Sequence, residues 1–204
     1  KSKYSNKIEP EQKDDFTKSL KIIAKQIKQI ENLVNEFSDF ARMPKPILKD
    51  NDLVSLVKDN INLIKELDNN ISINFNVNMD KIILNSDNEQ LSRVFFNMIK
   101  NSIESIHEKR LNNNNFKGKI DIILNNNVSD VDFVIIDNGL GFGAFKDNIK
   151  NLLNPYFTTK EKGTGLGLAI VNKIINDHNG SIEFITIEYG AKIVIRFVKW
   201  VKKY

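Results

Sequence analysis

The stretch that decides the fold is Val134-Ile135-Ile136-Asp137-Asn138-Gly139-Leu140-Gly141-Phe142-Gly143. Its β-branched start reads as the end of a buried strand over 131–136. The strand runs into a carboxylate, and glycines alternate after it. Glycines let the backbone turn tightly and let a ligand approach closely. A carboxylate at a strand end accepts a hydrogen bond from an exocyclic amine, such as that of adenine. Guanine presents an oxygen at that edge, so the same aspartate disfavours it. A plain Asp-Asn-Gly turn has the same letters, so the stretch alone leaves both a turn and a purine pocket open.

Downstream, Gly163-Thr164-Gly165-Leu166-Gly167-Leu168-Ala169-Ile170 runs straight into a helix predicted over 166–178. Backbone N–H groups at a helix start attract anions, and glycines leave them uncovered. The spacing is G-x-G-x-G after a charged loop, which does not fit the dinucleotide fingerprint. No Gly-Lys-Ser/Thr is present, so a Walker loop does not fit either. A glycine-rich turn is the alternative. Just before it stands Pro155-Tyr156-Phe157-Thr158-Thr159-Lys160. There Phe157 is a candidate to hold a mobile loop against the core, and Thr158, Thr159 and Lys160 are candidates to reach phosphates.

Upstream lies Asn97-Met98-Ile99-Lys100-Asn101-Ser102-Ile103-Glu104-Ser105. Asn97 and Asn101 share a helix face opposite the apolar Leu91, Val94, Phe95, Met98 and Ile99. Asparagine is a poor residue for a helix interior, so two on one face suggest a polar role. An amide oxygen suits Mg²⁺, which takes few protein ligands and completes its shell with water and phosphate oxygens. Two solvated asparagines in an asparagine-rich chain would look alike.

Around these motifs the period changes from helix to strand. Residues 9–42 carry apolar positions at alternating steps of four and three: Phe16, Leu20, Ile23, Ile27, Ile30, Val34, Phe37 and Ala41. That is a heptad seam, widened by Ile22, Leu33 and Phe40 to the stripe of a helical bundle. One helix cannot bury such a face alone. Pro44 and Pro46 stop it, and a domain boundary is expected there. A second helix is predicted over 53–67 and a third over 91–106, with strands over 71–77, 120–124, 131–136, 182–187 and 192–198. The fold class is therefore α+β, a sandwich preceded by a long bundle helix. Of the 204 residues, 41% are apolar, enough for a core, and the net charge of +4 suits an anionic ligand without the basic patch of a nucleic-acid binder. The absence of cysteine excludes disulfides, thiolate metal sites and cysteine nucleophiles. Lys1 opens charged sequence without a methionine, which reads as an excised piece.

The order of motifs resembles the asparagine, first glycine, phenylalanine and second glycine boxes of sensor histidine kinases. These share the Bergerat ATP-binding fold with type II topoisomerases, heat-shock chaperones and MutL-type repair proteins. His178-Asn179-Gly180-Ser181-Ile182 and Tyr189-Gly190-Ala191 resemble the family's closing strands, and residues 35–46 look like the second bundle helix and linker of nitrogen-regulation kinases of the NtrY type. The resemblance covers nearly the whole chain.

It implies a division into a partial dimerisation and phosphotransfer region, 1–44, and a Bergerat-type catalytic domain, 45–204. It implies ATP and Mg²⁺ as cofactors. Asn101 would hold the metal with Asn97 close to it. Asp137 would read adenine, while Gly139 and Gly141 shape the pocket. Gly163, Thr164, Gly165, Leu166, Gly167 and Leu168 would bracket the phosphates, with Phe157, Thr158, Thr159 and Lys160 beside them. The implied partners are a second copy through helix 11–42 and an NtrX-like response regulator receiver domain, with no nucleic acid. Contact with a membrane would come only through upstream segments of a bacterial inner-membrane protein, which leaves this part cytoplasmic. Two features depart from the family. Glu104 stands where many members carry a lysine that helps with phosphates, and Lys100 or Lys160 is a candidate to compensate. The phosphoacceptor motif, of His-Glu-x-x-Asn-Pro type, has no counterpart, and His107 and His178 lack its setting. The chain is thus expected to bind ATP without phosphorylating itself. Two other readings stay open: a nucleotide-binding scaffold or pseudokinase, and an ATPase of the chaperone or topoisomerase branch.

Overall fold

The computed structural model describes residues 10–67, 70–111, 113, 115–143, 149–158 and 163–199. In chain order the elements are α1 (Pro10–Ala41), β1 (Lys49–Asp52), α2 (Leu53–Leu67), β2 (Ser72–Val77), β3 (Ile83–Ser86), α3 (Asn88–Leu111), β4 (Lys119–Asn126), β5 (Asp130–Asp137), a short 3-10 helix (Ile149–Leu153), α4 (Gly167–Asp177), β6 (Gly180–Thr186) and β7 (Ala191–Val198). Thr159 and Lys160 of the expected site lie outside the described residues.

Five strands form one mixed sheet in the order β2-β4-β5-β7-β6. β2 pairs with β4 in parallel, and every other pair is antiparallel. The period-2 pattern puts Ile120, Ile122 and Leu124 of β4, Val131, Phe133 and Ile135 of β5, and Ile193, Ile195 and Phe197 of β7 into the core. They meet the apolar face of α3, where Leu91, Val94, Phe95, Met98 and Ile99 are buried. The rings of Phe95 and Phe133 stack at 4.6 Å between centroids, joining helix to central strand. Burying each such large side chain stabilises the fold by about 1.5–3 kcal/mol. Helices α2, α3 and α4 pack side by side against this sheet, giving the two-layer α+β sandwich expected.

Two strands escape the sequence pattern. β1 and β3 pair antiparallel, Lys49 opposite Ser86 and Asp52 opposite Ile83. Lys49-Asp50-Asn51-Asp52 has no apolar alternation, because a short backbone ladder and side-chain bonds rather than burial hold it. The Asn51 amide donates to the Ser86 carbonyl at 2.7 Å, and the Asn85 amide donates to Asp50 at 3.0 Å. Asp52 then starts α2, accepting from the Val54 N–H at 3.1 Å and the Ser55 hydroxyl at 2.9 Å.

The N-terminus of α3 is tied from three sides. Asp87 accepts from the Gln90 N–H at 3.1 Å and, across the linker, from the Ile47 N–H at 2.8 Å. Its own N–H donates to Nε2 of the buried His178 at 2.9 Å, while Nδ1 of that ring lies 2.8 Å from the Ile174 carbonyl. His178 is therefore the neutral tautomer carrying its proton on Nδ1, a structural joint between α4 and α3. Partial burial works against the Asp87 charge, yet the hydrogen bonds from Ile47, Gln90 and Glu89 outweigh it and hold the carboxyl below its usual range.

Helix α1 keeps its heptad seam outside this core. Ile23, Ile27 and Ile30 are each more than half exposed, Ile27 at 62%. Only near its end does it dock, with Phe40 and the following Met43 packed on the core. The helix stops at Ala41, just before the two prolines. No helix among the described residues is long and apolar enough to cross a membrane.

Candidate nucleotide-binding site

Asp137 is the last residue of β5, paired across the sheet with Ile120 and Ala191. It is 5% exposed. Its Oδ1 accepts from the Gly139 N–H at 2.9 Å and its Oδ2 from the Ser102 hydroxyl at 3.0 Å. Burial pushes the carboxyl up. The hydrogen bonds from Gly139, Ser102 and Ala191 and the Lys109 ammonium work the other way without cancelling it.

The loop after Asp137 is pressed between α3 and the hairpin that joins β6 to β7. A Cβ on Gly139 would stand 2.3 Å from Ser105 Oγ, and that hydroxyl accepts from the Leu140 N–H at 2.9 Å. Gly141 has φ +71°, and a Cβ there would meet the Gly190 carbonyl at 2.3 Å. Both the left-handed backbone and the close approach exclude a side chain at Gly141.

The second half of the site is the start of α4. Asn97 donates its amide to the Arg93 carbonyl at 2.8 Å, and its Oδ1 would lie 3.5 Å from a Cβ on Gly167, the first residue of α4. Asn97 thus faces the expected anion site, and the half-buried Asn101 follows one turn further along α3. No side chain caps Leu166, the residue before α4. Leu166 is fully buried and Leu168 packs on the core, so both hold the helix start rather than project from it. Gly165, with φ +70°, accepts from the Tyr156 N–H at 3.0 Å, and a Cβ there would strike the Tyr156 and Phe157 backbone. This joins the Phe157 segment to the glycine loop. Phe157 is half-buried, while Thr158 and Gly163 are exposed. The Thr164 hydroxyl donates to the Glu36 carboxylate of α1, a contact that sequence reasoning missed.

Glu104 pairs with Lys100 at 3.8 Å, which engages one of the two lysines considered as substitutes. Such an exposed pair contributes little stability. Lys109 was missed as well, and Ser102 and Ser105 were quoted without a role. Their signal is the step of three and four along one helix face. Among the described residues no group of three His, Cys, Asp or Glu side chains is placed to hold a metal. A cation here would rest on amide oxygens, phosphates and water, and the Asn97 oxygen facing the α4 start fits that donor set.

A buried strand-end carboxylate, a glycine loop folded against a helix, and a second helix start facing Asn97 define an ATP-binding domain of the Bergerat class. The chain belongs to the family described as histidine kinase-, DNA gyrase B-, and HSP90-like ATPase, whose model matches residues 86–200. It is 36% identical over 196 residues to the NtrY-like sensor histidine kinase of Rickettsia prowazekii, covering 96% of this chain and 31% of that protein. The chain thus spans about a third of the length of the curated relatives it matches. Among solved structures it is similar to the catalytic domain of histidine kinase ThkA, with TM-score 0.65 and 26% identity over 74% of this chain and 95% of that one. The structure of ThkA in complex with response regulator protein TrrA shares the fold, with TM-score 0.73 and 22% identity over 93% of this chain and 53% of that one.

Proposed function

We propose that this chain is the catalytic, ATP-binding part of a two-component sensor histidine kinase, passing the γ-phosphoryl of ATP to a histidine and thence to a response regulator. The observation that carries the reading is the arrangement on α3. Ser102 and Ser105 face the Asp137 loop, and Asn97 faces the start of α4. Base and phosphate sites thereby share one rigid wall. Asp137 accepts from the adenine amine, Gly139 and Gly141 let the base approach, and backbone N–H groups at the start of α4, from Gly167 and Leu168, meet the phosphates. Gly163, Thr164, Phe157, Thr158, Thr159 and Lys160 are the further candidates for phosphate contact. Mg²⁺ on Asn101, with Asn97 beside it, supplies charge neutralisation to the phosphates. The protein's own part is to orient the nucleotide and exclude water from it.

His178 is committed to Asp87 and Ile174, so it is not the acceptor. His107 is the other histidine, on the last turns of α3. Because His107 lacks the acceptor motif of the family, the proposed acceptor is a histidine on another segment or molecule. Residues 1–44 form part of the dimerisation region and 45–204 the catalytic domain. The open seam of α1 fits a second copy of the chain, with membrane attachment, where present, through further segments and this part on the cytoplasmic side. An NtrX-like receiver domain is the proposed final acceptor, on the strength of the NtrY-like relatives. The test is incubation with labelled ATP and Mg²⁺, with and without an added histidine-bearing bundle. Acid-labile phosphate on the bundle alone supports the reading. Acid-labile phosphate on this chain overturns the placement of the acceptor elsewhere, and hydrolysis without any acceptor overturns the kinase reading in favour of the ATPase branch. Nucleotide binding with neither outcome favours a scaffold.

A further inference from the structure

Lys109 follows Ser102 by seven residues and Ser105 by four on α3. Its Nζ donates to the Asn138 carbonyl at 2.7 Å and to the Gly139 carbonyl at 2.9 Å, and it sits 4.6 Å from the centre of the Phe116 ring. These neighbours are two backbone carbonyls and a ring face, a use of the charge that differs from a surface ion pair. The carbonyls belong to the two residues that follow Asp137.

The Asn138–Gly139 peptide unit is held at both ends. Its C=O accepts from Lys109, and its N–H donates to Asp137 Oδ1 at 2.9 Å. Hydrogen bonds in such a chain polarise one another, so the ammonium strengthens the N–H that grips the carboxylate. Rotation of this peptide breaks both bonds at once. The Asn138 side chain meanwhile accepts from the Lys119 N–H at 2.8 Å and donates to the Lys117 carbonyl at 2.9 Å, closing the loop from the other side.

We infer that Lys109 is a positioning residue for base recognition, which through the Asn138–Gly139 peptide orients the Asp137 carboxylate and so sets the preference for adenine over guanine. This rests on Asp137 being the base reader. The charges around Asp137 can be named. Ile120 and Ala191 face it across the sheet and carry none, and α3 contributes the Ser102 hydroxyl and Lys109. Burial raises the Asp137 carboxyl and Lys109 opposes that rise. Nucleotide affinity that needs the ionised carboxylate is present at higher pH and lost as pH falls. Without Lys109 that loss sets in at higher pH.

The experiment is calorimetric titration of the whole chain with non-hydrolysable ATP and GTP analogues and Mg²⁺, from about pH 5 to about pH 8. The proteins are the wild type, Lys109→Met, Lys109→Arg and Asp137→Asn. The expected result for Lys109→Met is about tenfold weaker ATP-analogue binding near neutral pH, the size of one charge-assisted hydrogen bond. Its acid limb moves to higher pH, its preference for ATP falls, and Lys109→Arg restores most of all three. Wild-type affinity, pH limb and preference in Lys109→Met, with binding lost in Asp137→Asn, overturn the role of Lys109 alone. Unchanged binding in Asp137→Asn overturns the base-reading role and this inference with it. Should Lys109→Met fail to melt cooperatively, Lys109→Gln, which keeps an N–H donor group and carries no charge, serves the same comparison.

Discussion

Replacing Asp137 by asparagine separates what the residue does for the fold from what it does for the ligand. The carboxylate is buried, and burial raises its titration above the ordinary 3.8. A carboxyl raised in the folded state binds its proton more tightly there than in the unfolded chain. Its ionisation therefore costs no stability below the unfolded value, and stability is lost as pH rises through the folded value. Asparagine has nearly the same shape and no charge. Its Oδ1 still accepts from Gly139, and its NH₂ faces Ser102, whose hydroxyl can turn to accept. The variant should be more stable than the wild type without nucleotide, by on the order of 1 kcal/mol at neutral pH. For a chain of this size that is roughly 2–4 °C in Tm. The gain should vanish near the unfolded titration and grow as pH rises. Affinity should move oppositely, because the amide presents donors where the adenine amine needs an acceptor. Loss of one hydrogen bond to a charged group is worth about 1.5–3 kcal/mol, roughly ten- to hundredfold in Kd. Thermal melts across pH, paired with titration by a non-hydrolysable ATP analogue, measure both. A variant that is destabilised at neutral pH, or whose gain does not vary with pH, refutes the electrostatic argument. A variant that binds as the wild type does refutes the site.

Other substitutions test different parts of the frame. Asp87→Ala removes the α3 cap and should cost about 0.5–2 kcal/mol. Because the folded carboxyl titrates below its usual range, that cost should be full above the ordinary 3.8 and shrink as pH falls through the folded value, read from chemical denaturation at several pH values. Gly141→Ala should cost on the order of 1–3 kcal/mol from left-handed strain, and more from its clash with the Gly190 carbonyl, with nucleotide binding lost together with Tm. Ile23→Glu with Ile30→Glu should abolish self-association in sedimentation or light scattering. It should leave chemical stability of the sandwich within about 0.5 kcal/mol, since neither side chain touches the core. A wild-type chain that is monomeric at high concentration would refute the paired-seam reading.

How far the sequence could be read depended on what holds each part. The five strands of the main sheet and α2, α3 and α4 were legible because burial imposes a period, as in Ile120, Ile122 and Leu124 against Asp121 and Ile123. β1 was illegible because a short backbone ladder, supplemented by Asn51 and Asp50 bonding to β3, holds it, and such pairing leaves no apolar rhythm. The ends of α3 reach beyond the apolar run, to Asn88 under the Asp87 cap and to Leu111 past Lys109. Asp137 and its glycines stood out because residue type and order were both unusual. Ser102, Ser105 and Lys109 did not, since a serine or lysine on a helix is ordinary until the strand it meets is known.

Those three residues explain why the site needs so little of its own scaffold. From Asn97 to Lys109 the helix rises about 18 Å at 1.5 Å per residue, which places a phosphate-side contact and three base-side contacts on one rod. The rod is fixed at its start, where Asp87 caps it and takes Nε2 of His178 from the far end of α4. α4 is thereby pinned at its last turn, while its first residue faces Asn97. Distance between base reader and phosphate loop is then set by two helices packed side by side and tied at His178, and by the 4.6 Å stack of Phe95 on Phe133 that presses the rod onto the strand bearing Asp137. The glycine loop before α4 is tied to neighbours outside these two helices. There the described contacts are Gly165 with Tyr156 and Thr164 with Glu36, so the position of α1 bears directly on the loop expected to hold the phosphates.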